Sequence, residues 1–266
     1  MGFIALIDAD SLLYKVGFAI EEKTVLNEWE VEWGDEDGNA VEPVVEYTTD
    51  IEQCYSNFDQ MVDNMLYTID CDEALLVFSG KDNFRLDLPT PYKGNRDGNR
   101  KPTGYDEILQ FALETYNSIV VDGYEADDYV VWAKTKYPDK YTLCAIDKDV
   151  IYQTVGTHYN YGKDEFIVTD AEYALWYAYL QTLAGDATDG YKGVPGIGDV
   201  KARKILEPCK TEIEMWEATV EAYEAKGLGA EDAILTMQLA NMHQLHDGEI
   251  VLWQPPVRPT SKEQTL

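Results

Sequence analysis

Positive charge is what this sequence has least of. Twenty-one lysines and arginines stand against 50 aspartates and glutamates, a formal net charge of −29. Taken alone, such a balance repels nucleic acid at long range. The acids are unevenly spread, however. Glu21–Glu52 holds twelve of them beside a single lysine, and several others fall where a divalent cation would offset them. Long apolar runs are also missing. No stretch reaches the ~18 residues a membrane-spanning helix needs, so no membrane association is expected. Cysteine is scarce and unpatterned. Cys54, Cys71, Cys144 and Cys209 argue against a zinc knuckle or a disulfide framework and suit a reducing cytoplasm. What is present is enough apolar content, 45%, to bury a substantial core.

Short apolar runs alternate with helical patterns. Phe3–Ile7, Ala74–Phe78, Ile119–Val121 and Tyr141–Ile146 read as buried strands. Ser11–Ile20, Asp50–Ile69 and Glu125–Lys136 read as helices. That order predicts an α/β fold with a mainly parallel sheet. Trp29–Trp33 alternates with period two, and Val41–Tyr47 follows the turn Gly34–Asn39, which predicts an acidic β-hairpin. Beyond Thr169 the pattern is helical, and Val257–Leu266 reads as a tail.

Four segments put acids at the ends of these elements: Asp8 with Asp10, Glu125 with Asp127 and Asp128, Asp147 with Asp149, and Asp186 with Asp189. Ligand sites in parallel sheets form outside the carboxyl ends of the strands. If the chain stays extended, Asp8 shares a face with Asp10, and Asp147 with Asp149. Glu125 and Asp128, like Asp186 and Asp189, would share helix faces. So many carboxylates in one place need cations, and oxygen donors suit Mg²⁺ or Mn²⁺. Two such ions can serve both oxygens of a phosphodiester displacement.

Two further segments fit that chemistry. Tyr92–Pro102 gathers Lys93, Arg96, Arg100 and Lys101, with Arg85 just upstream. These could grip phosphates, and Tyr92 could stack on an unpaired base. Gly193–Gly198 precedes a basic helical pattern with Lys201, Arg203 and Lys204. A glycine turn opening a helix offers backbone N–H groups to a phosphate or to a bridging monovalent cation such as K⁺. Contacts of this kind at Gly196, Ile197, Gly198 and Lys201 read the backbone and not the bases.

Five motifs in order, Ile7-Asp8-Ala-Asp10, Tyr92-Lys-Gly-Asn-Arg96, Gly123-Tyr-Glu-Ala-Asp-Asp128, Ile146-Asp-Lys-Asp149 and Gly185-Asp-Ala-Thr-Asp-Gly190 with Gly193–Gly198, resemble the flap endonuclease or 5′-nuclease family. The 5′–3′ exonucleases of short-tailed bacteriophages are the nearest pattern. The resemblance implies a PIN-like nuclease core over residues 1–168, with an acidic insertion at about 27–48 and a helical arch at about 85–118. It implies a helical region with a helix–three-turn–helix over 169–256, then a tail over 257–266. By the same match Asp8, Glu125, Asp127, Asp128, Asp147, Asp149, Asp186 and Asp189 would hold two Mg²⁺ or Mn²⁺, directly or through water. Lys93 would be the catalytic lysine, acting with Asp8, Asp128, Asp147 and Asp149. The implied partner is DNA with 5′ ends, flaps or nicks, or an RNA–DNA hybrid, met by a monomeric phage protein in the host cytoplasm. One departure stands out: the family places an aspartate shortly before Phe84-Arg85, where this chain has Phe78-Ser79-Gly80-Lys81, with Asp82 nearby. A PIN-type ribonuclease and a non-catalytic DNA-end-binding protein are the rival readings.

Overall fold

The computed structural model describes residues 3–33, 39–90, 92–94 and 98–258, without the side chains of 29, 30 and 33. Its elements alternate as the sequence pattern requires. β1 (Ile4–Asp8) leads into α1 (Asp10–Ile20), then β2 (Glu22–Val25), α2 (Glu28–Trp33), β3 (Val45–Thr48), α3 (Ile51–Ile69) and β4 (Glu73–Asn83). α4 (Tyr105–Thr115), β5 (Ser118–Gly123), α5 (Ala126–Lys136), β6 (Tyr141–Ala145), α6 (Lys148–Gln153), β7 (Gly156–Asn160) and β8 (Glu165–Thr169) complete the sheet region. α7 (Ala171–Ala184), the short strands β9 (Gly185–Asp186) and β10 (Tyr191–Lys192), and α8 (Asp199–Leu206), α9 (Glu212–Glu224) and α10 (Ala230–Ala240) follow.

Six strands form one sheet in the order β5-β4-β1-β6-β7-β8, parallel except for β8. The central strand β1 carries fully buried Ala5, Leu6 and Ile7, each larger side chain contributing about 1.5–3 kcal/mol of burial. Alternate residues of β1 feed two cores. Ile7 joins α1, α3 and α4 on one face, while Leu6 joins α5 and α6 on the other. α3 shows why the first core forms. Cys54, Phe58, Val62 and Met65 fall on one stripe, and Asp50 caps the helix by accepting from Gln53 N. A third core belongs to α7–α10.

Several expectations change. The acidic hairpin is built from β2 and β3, paired antiparallel from Glu22↔Thr48 to Val25↔Val45, and Glu28–Trp33 is helical. Period-two alternation over five residues was too short to exclude a helical turn. Most of the turn Gly34–Asn39 lies outside the described residues. The strand pair β7–β8 was not anticipated, because mixed polar stretches such as Gly156-Thr-His-Tyr-Asn160 lack an apolar run. Helix α4, within the stretch expected as an arch, packs Ile108 and Ala112 into the first core. Of the expected tail, residues 259–266 lie outside the described residues.

Candidate active site

The chain turns sharply wherever an expected site acid sits. Asp8 ends β1, but Asp10 already opens α1, so the two do not share a strand face. Asp10 turns toward β4, where both its oxygens accept from Ser79 N at 3.1 and 3.2 Å. Asp147 caps α6, accepting from Asp149 N at 2.7 Å, which likewise replaces the expected extended pair. Asp186 and Asp189 are not on a helix. They lie in a tight turn in which Thr188 N and Asp189 N donate to Asp186 Oδ1 at 2.6 and 3.2 Å. Lys93 N donates to Asp189 O at 2.7 Å, which brings the basic segment to this turn.

Burial and mutual repulsion set the electrostatics. Burial, then Asp10 and Asp147, push Asp8 well above the usual carboxylate range. Burial, then Asp8 and Asp147, do the same to Asp127. Burial also raises Asp10, Asp147 and Asp149. These groups lack sufficient positive charge nearby. Two lysines supply part of it. Lys93 pairs with Glu125 and lies 3.9 Å from Asp189. Burial works against its ammonium, but Glu125, Asp189 and Asp127 outweigh that and raise it. Lys148 donates to Asp149 at 2.7 Å and Asp186 at 2.6 Å. A cavity of about 390 Å³ opens beside Asp147, Asp149, Asp186 and Asp189. Among the described residues no three acidic, histidine or cysteine side chains already stand in a geometry that encloses an ion.

Two expected site residues serve the frame instead. Arg85 and Asp128 are both 0% exposed and form a two-pronged pair, Nη1–Oδ2 2.7 Å and Nη2–Oδ1 2.8 Å. Arg85 also donates to Leu239 O and Asn241 O, both at 3.1 Å. It thus ties α5 to the end of α10, and it cannot meet DNA from there. Asp128 Oδ2, which accepts from Arg85 Nη1, also accepts from Glu125 N at 3.1 Å, and the same Nη1 lies 3.5 Å from Glu125 Oε2. Tyr92 is another correction. It is 4% exposed, and its hydroxyl donates to Glu125 Oε2 at 2.8 Å, which leaves no ring face for a base.

The remaining basic residues are scattered. Arg100 pairs with Glu21 and covers the Tyr47 ring at 3.7 Å, and Lys101 covers Tyr105 at 3.9 Å. Arg96 lies outside the described residues. Asp82 is exposed, and its N–H donates to Asp122 at 2.9 Å. The place beside Ser79 is filled by Asp10, which the sequence pattern had grouped with Asp8 on one strand face. Tyr191 was also missed. Among the described residues its buried hydroxyl has no hydrogen-bond partner, and burial, then the charges of Asp149, Asp186 and Asp189, push its proton affinity up.

The glycine turn divides its labour. A Cβ on Gly185 or Gly193 would overlap the backbone of the other segment, so these two glycines let β9 and β10 cross. A Cβ on Gly196, where φ is +77, or on Gly198 would meet nothing within 4 Å, and both residues are exposed. Ile197 packs against the third core, and Lys201 donates to Gly196 O at 2.7 Å.

A parallel sheet with acids at its carboxyl ends, followed by a helical region with an open glycine turn, is a fold this chain shares with solved structures. The bacteriophage T5 flap endonuclease, solved in a pseudo-enzyme–product complex with DNA and metal ions, superposes with a TM-score of 0.65. It is 16% identical, over 90% of this chain and 89% of that one. No family model matches the chain. Its sequence is 33% identical over 144 residues to the exodeoxyribonuclease of Enterobacteria phage T3, or 50% of this chain. It is 28% identical over 223 residues to the exonuclease of Escherichia phage T7, or 68% of this chain. The matches span 47% of the T3 protein and 73% of the T7 protein. The chain is thus similar in sequence to two phage exonucleases and similar in fold to a phage flap endonuclease.

Proposed function

We propose that this chain is a metal-dependent 5′-nuclease, hydrolysing DNA phosphodiesters as a 5′–3′ exonuclease or flap endonuclease. The observation that carries the reading is the set of desolvated, mutually repelling carboxylates at the carboxyl ends of β1 and β6 and in the Asp186–Asp189 turn. The raised proton affinity of Asp8, Asp127 and Asp147 and the all-oxygen chemistry of the set fit divalent cations. Asp8, Asp10, Glu125 and Asp127 would hold one ion, and Asp147, Asp149, Asp186 and Asp189 a second, directly or through water. Bound there, Mg²⁺ or Mn²⁺ would supply a nucleophilic hydroxide and neutralise charge at the scissile phosphate.

The chain's own residues do the rest. Lys93, held by Glu125 and by the backbone of Asp189, presents a permanent positive charge at the edge of the carboxylate set, suited to a developing oxyanion. Tyr92 fixes Glu125 from the other side. The open backbone at Gly196–Gly198 and the start of α8 would seat the sugar-phosphate strand of duplex DNA, as a helix–three-turn–helix does, with room for K⁺ between carbonyls and phosphate. Such contacts do not read sequence, so specificity would lie in the 5′ end or flap. Action on RNA–DNA hybrids, as a monomer in the host cytoplasm, is the wider setting of this reading; among the described residues no helix is long and apolar enough to cross a membrane.

The test is cleavage of 5′-labelled duplex, nicked and flapped DNA in Mg²⁺ beside single-stranded RNA. DNA products that vanish in EDTA and in the Asp147→Ala/Asp149→Ala variant are expected. Cleavage of RNA alone would favour the ribonuclease reading, and DNA binding without any cleavage would favour an end-binding protein.

A further inference from the structure

Among the described residues, Lys148 is a site cation whose role the nuclease reading does not use. Its ammonium lies between two carboxylates that arrive from different segments. Asp149 comes from the first turn of α6, and Asp186 from the end of β9. The distances, 2.7 and 2.6 Å, are those of charge-assisted hydrogen bonds. Both carboxylate side chains are nearly shut off from solvent, at 6% and 8% exposure, whereas the lysine side chain is 51% exposed. The pair is therefore fixed, and its cation sits on a long, solvated stem that can leave. Asp186 is also held from behind, its Oδ1 accepting from Thr188 N at 2.6 Å and Asp189 N at 3.2 Å while Oδ2 accepts from Lys148. An isolated pair of buried carboxylates at this spacing would otherwise repel or take up a proton.

We propose that Lys148 is a built-in counter-ion for the Asp149–Asp186 pair, one that a divalent ion must displace in order to bind there. This rests on the metal-dependent reading above and adds to it that one side chain sets the affinity of the second ion. Displacement frees a positive charge at the mouth of the cavity beside Asp147 and Asp189, on the side from which a phosphate strand would approach. The lysine thus keeps the empty site folded and raises the divalent concentration needed to fill it.

Calorimetric titration of the full chain with Mg²⁺ and with Mn²⁺ tests this, using wild type, Lys148→Met and Lys148→Arg. Removing a competing unit charge at ion-pair distance should tighten one of the binding events by about tenfold or more in Lys148→Met, and Lys148→Arg should behave like wild type. Metal-free Lys148→Met should melt lower than wild type, and Mg²⁺ should raise its melting temperature by more. Equal or weaker divalent affinity in Lys148→Met would overturn the proposal while leaving the nuclease reading intact. Absence of saturable divalent binding in wild type would overturn both. Should Lys148→Met fail to fold without metal, the wild-type protein supplies the answer by NMR of its lysine ammonium groups. The Lys148 signal, assigned by its loss in Lys148→Arg, should lose its hydrogen-bonded character on saturation with Mg²⁺, and an unchanged signal would contradict displacement.

Discussion

Replacing Asp128 by alanine separates a frame residue from a site residue, because the two roles predict opposite behaviour. In the structure Asp128 sits at 0% exposure and accepts both prongs of an equally buried Arg85. It also accepts from Glu125 N, at the N-terminus of α5. Removing the carboxylate leaves the buried guanidinium with Glu125 Oε2, at 3.5 Å, as its remaining anionic neighbour, since the two carbonyls of Leu239 and Asn241 cannot neutralise it. Breaking a buried pair by deleting one partner costs about 3–5 kcal/mol. Losing the cap at Glu125 adds about 0.5–2 kcal/mol. For a chain of this length each kcal/mol moves the melting temperature by about 2–4 °C, so a fall on the order of 10 °C is expected. The assay is thermal unfolding in EDTA, so that metal binding plays no part. The double change Arg85→Met/Asp128→Leu should recover much of the loss, since apolar replacement of a buried pair is often neutral. Were Asp128 a ligand among repelling acids, its removal would leave metal-free stability unchanged or raised. A shift smaller than about 2 °C would refute the frame assignment.

The true site acids should behave in that second way. Asp8→Asn removes one charge from the repelling set, so the metal-free protein should melt higher, by about 1 kcal/mol or more of added stability, while cleavage falls by orders of magnitude; a lower melting temperature in EDTA would contradict the repulsion. The pH response follows from the same groups. Asp8, Asp127 and Asp147 bind protons more tightly folded than unfolded, so the stability they contribute is fully present below about pH 3.9, the unfolded aspartate value, and is lost as pH rises through their raised values. The EDTA-treated protein should therefore gain stability on mild acidification from neutral pH, and saturating Mg²⁺ should reverse that slope; stability independent of pH between 7 and 5 in EDTA would count against the cluster. Further down, buried His158 opposes the trend. Burial holds its proton affinity down to about 4, so protonation destabilises the fold as pH falls from about 6.5, and His158→Gln should blunt the acid transition seen by circular dichroism. Gly185→Ala should destabilise by several kcal/mol, since its new methyl group would meet the Gly193 backbone at a positive φ; a Gly185→Ala protein melting like wild type would show that β9 and β10 are looser than described.

The parts of the site that lay open in the sequence are those set by local rules. Asp8 and Asp147 follow apolar runs, and a parallel sheet delivers the ends of such runs to one edge. Glu125 reads as the first residue of a helix, and the structure places it one position earlier, as the N-cap of α5. What stayed hidden depends on segments far apart in the chain. The pairing of Arg85 with Asp128, rather than with DNA, is decided by carbonyls more than 150 residues away, at Leu239 and Asn241. Nothing in the local sequence distinguishes an arginine bound for the interior from one bound for a phosphate. Tyr92 was misjudged for the same reason: its hydroxyl finds Glu125 only after folding. Lys148, one residue from two site acids, received no role because its second partner, Asp186, comes from another segment. Asp10 was visible but read with the wrong backbone, since the turn from β1 into α1 sends it to Ser79 instead of along the strand.

A calorimetric count of divalent ions bound per chain is the most direct experiment on the carboxylate set. Two saturable Mn²⁺-binding events are expected for wild type, as for a site serving both oxygens of a phosphodiester, falling to one in Asp149→Asn/Asp186→Asn with cleavage of 5′-labelled flap DNA lost alongside. No saturable binding in wild type, or an unchanged count and undiminished cleavage in the variant, would contradict the assignment of these acids to metal.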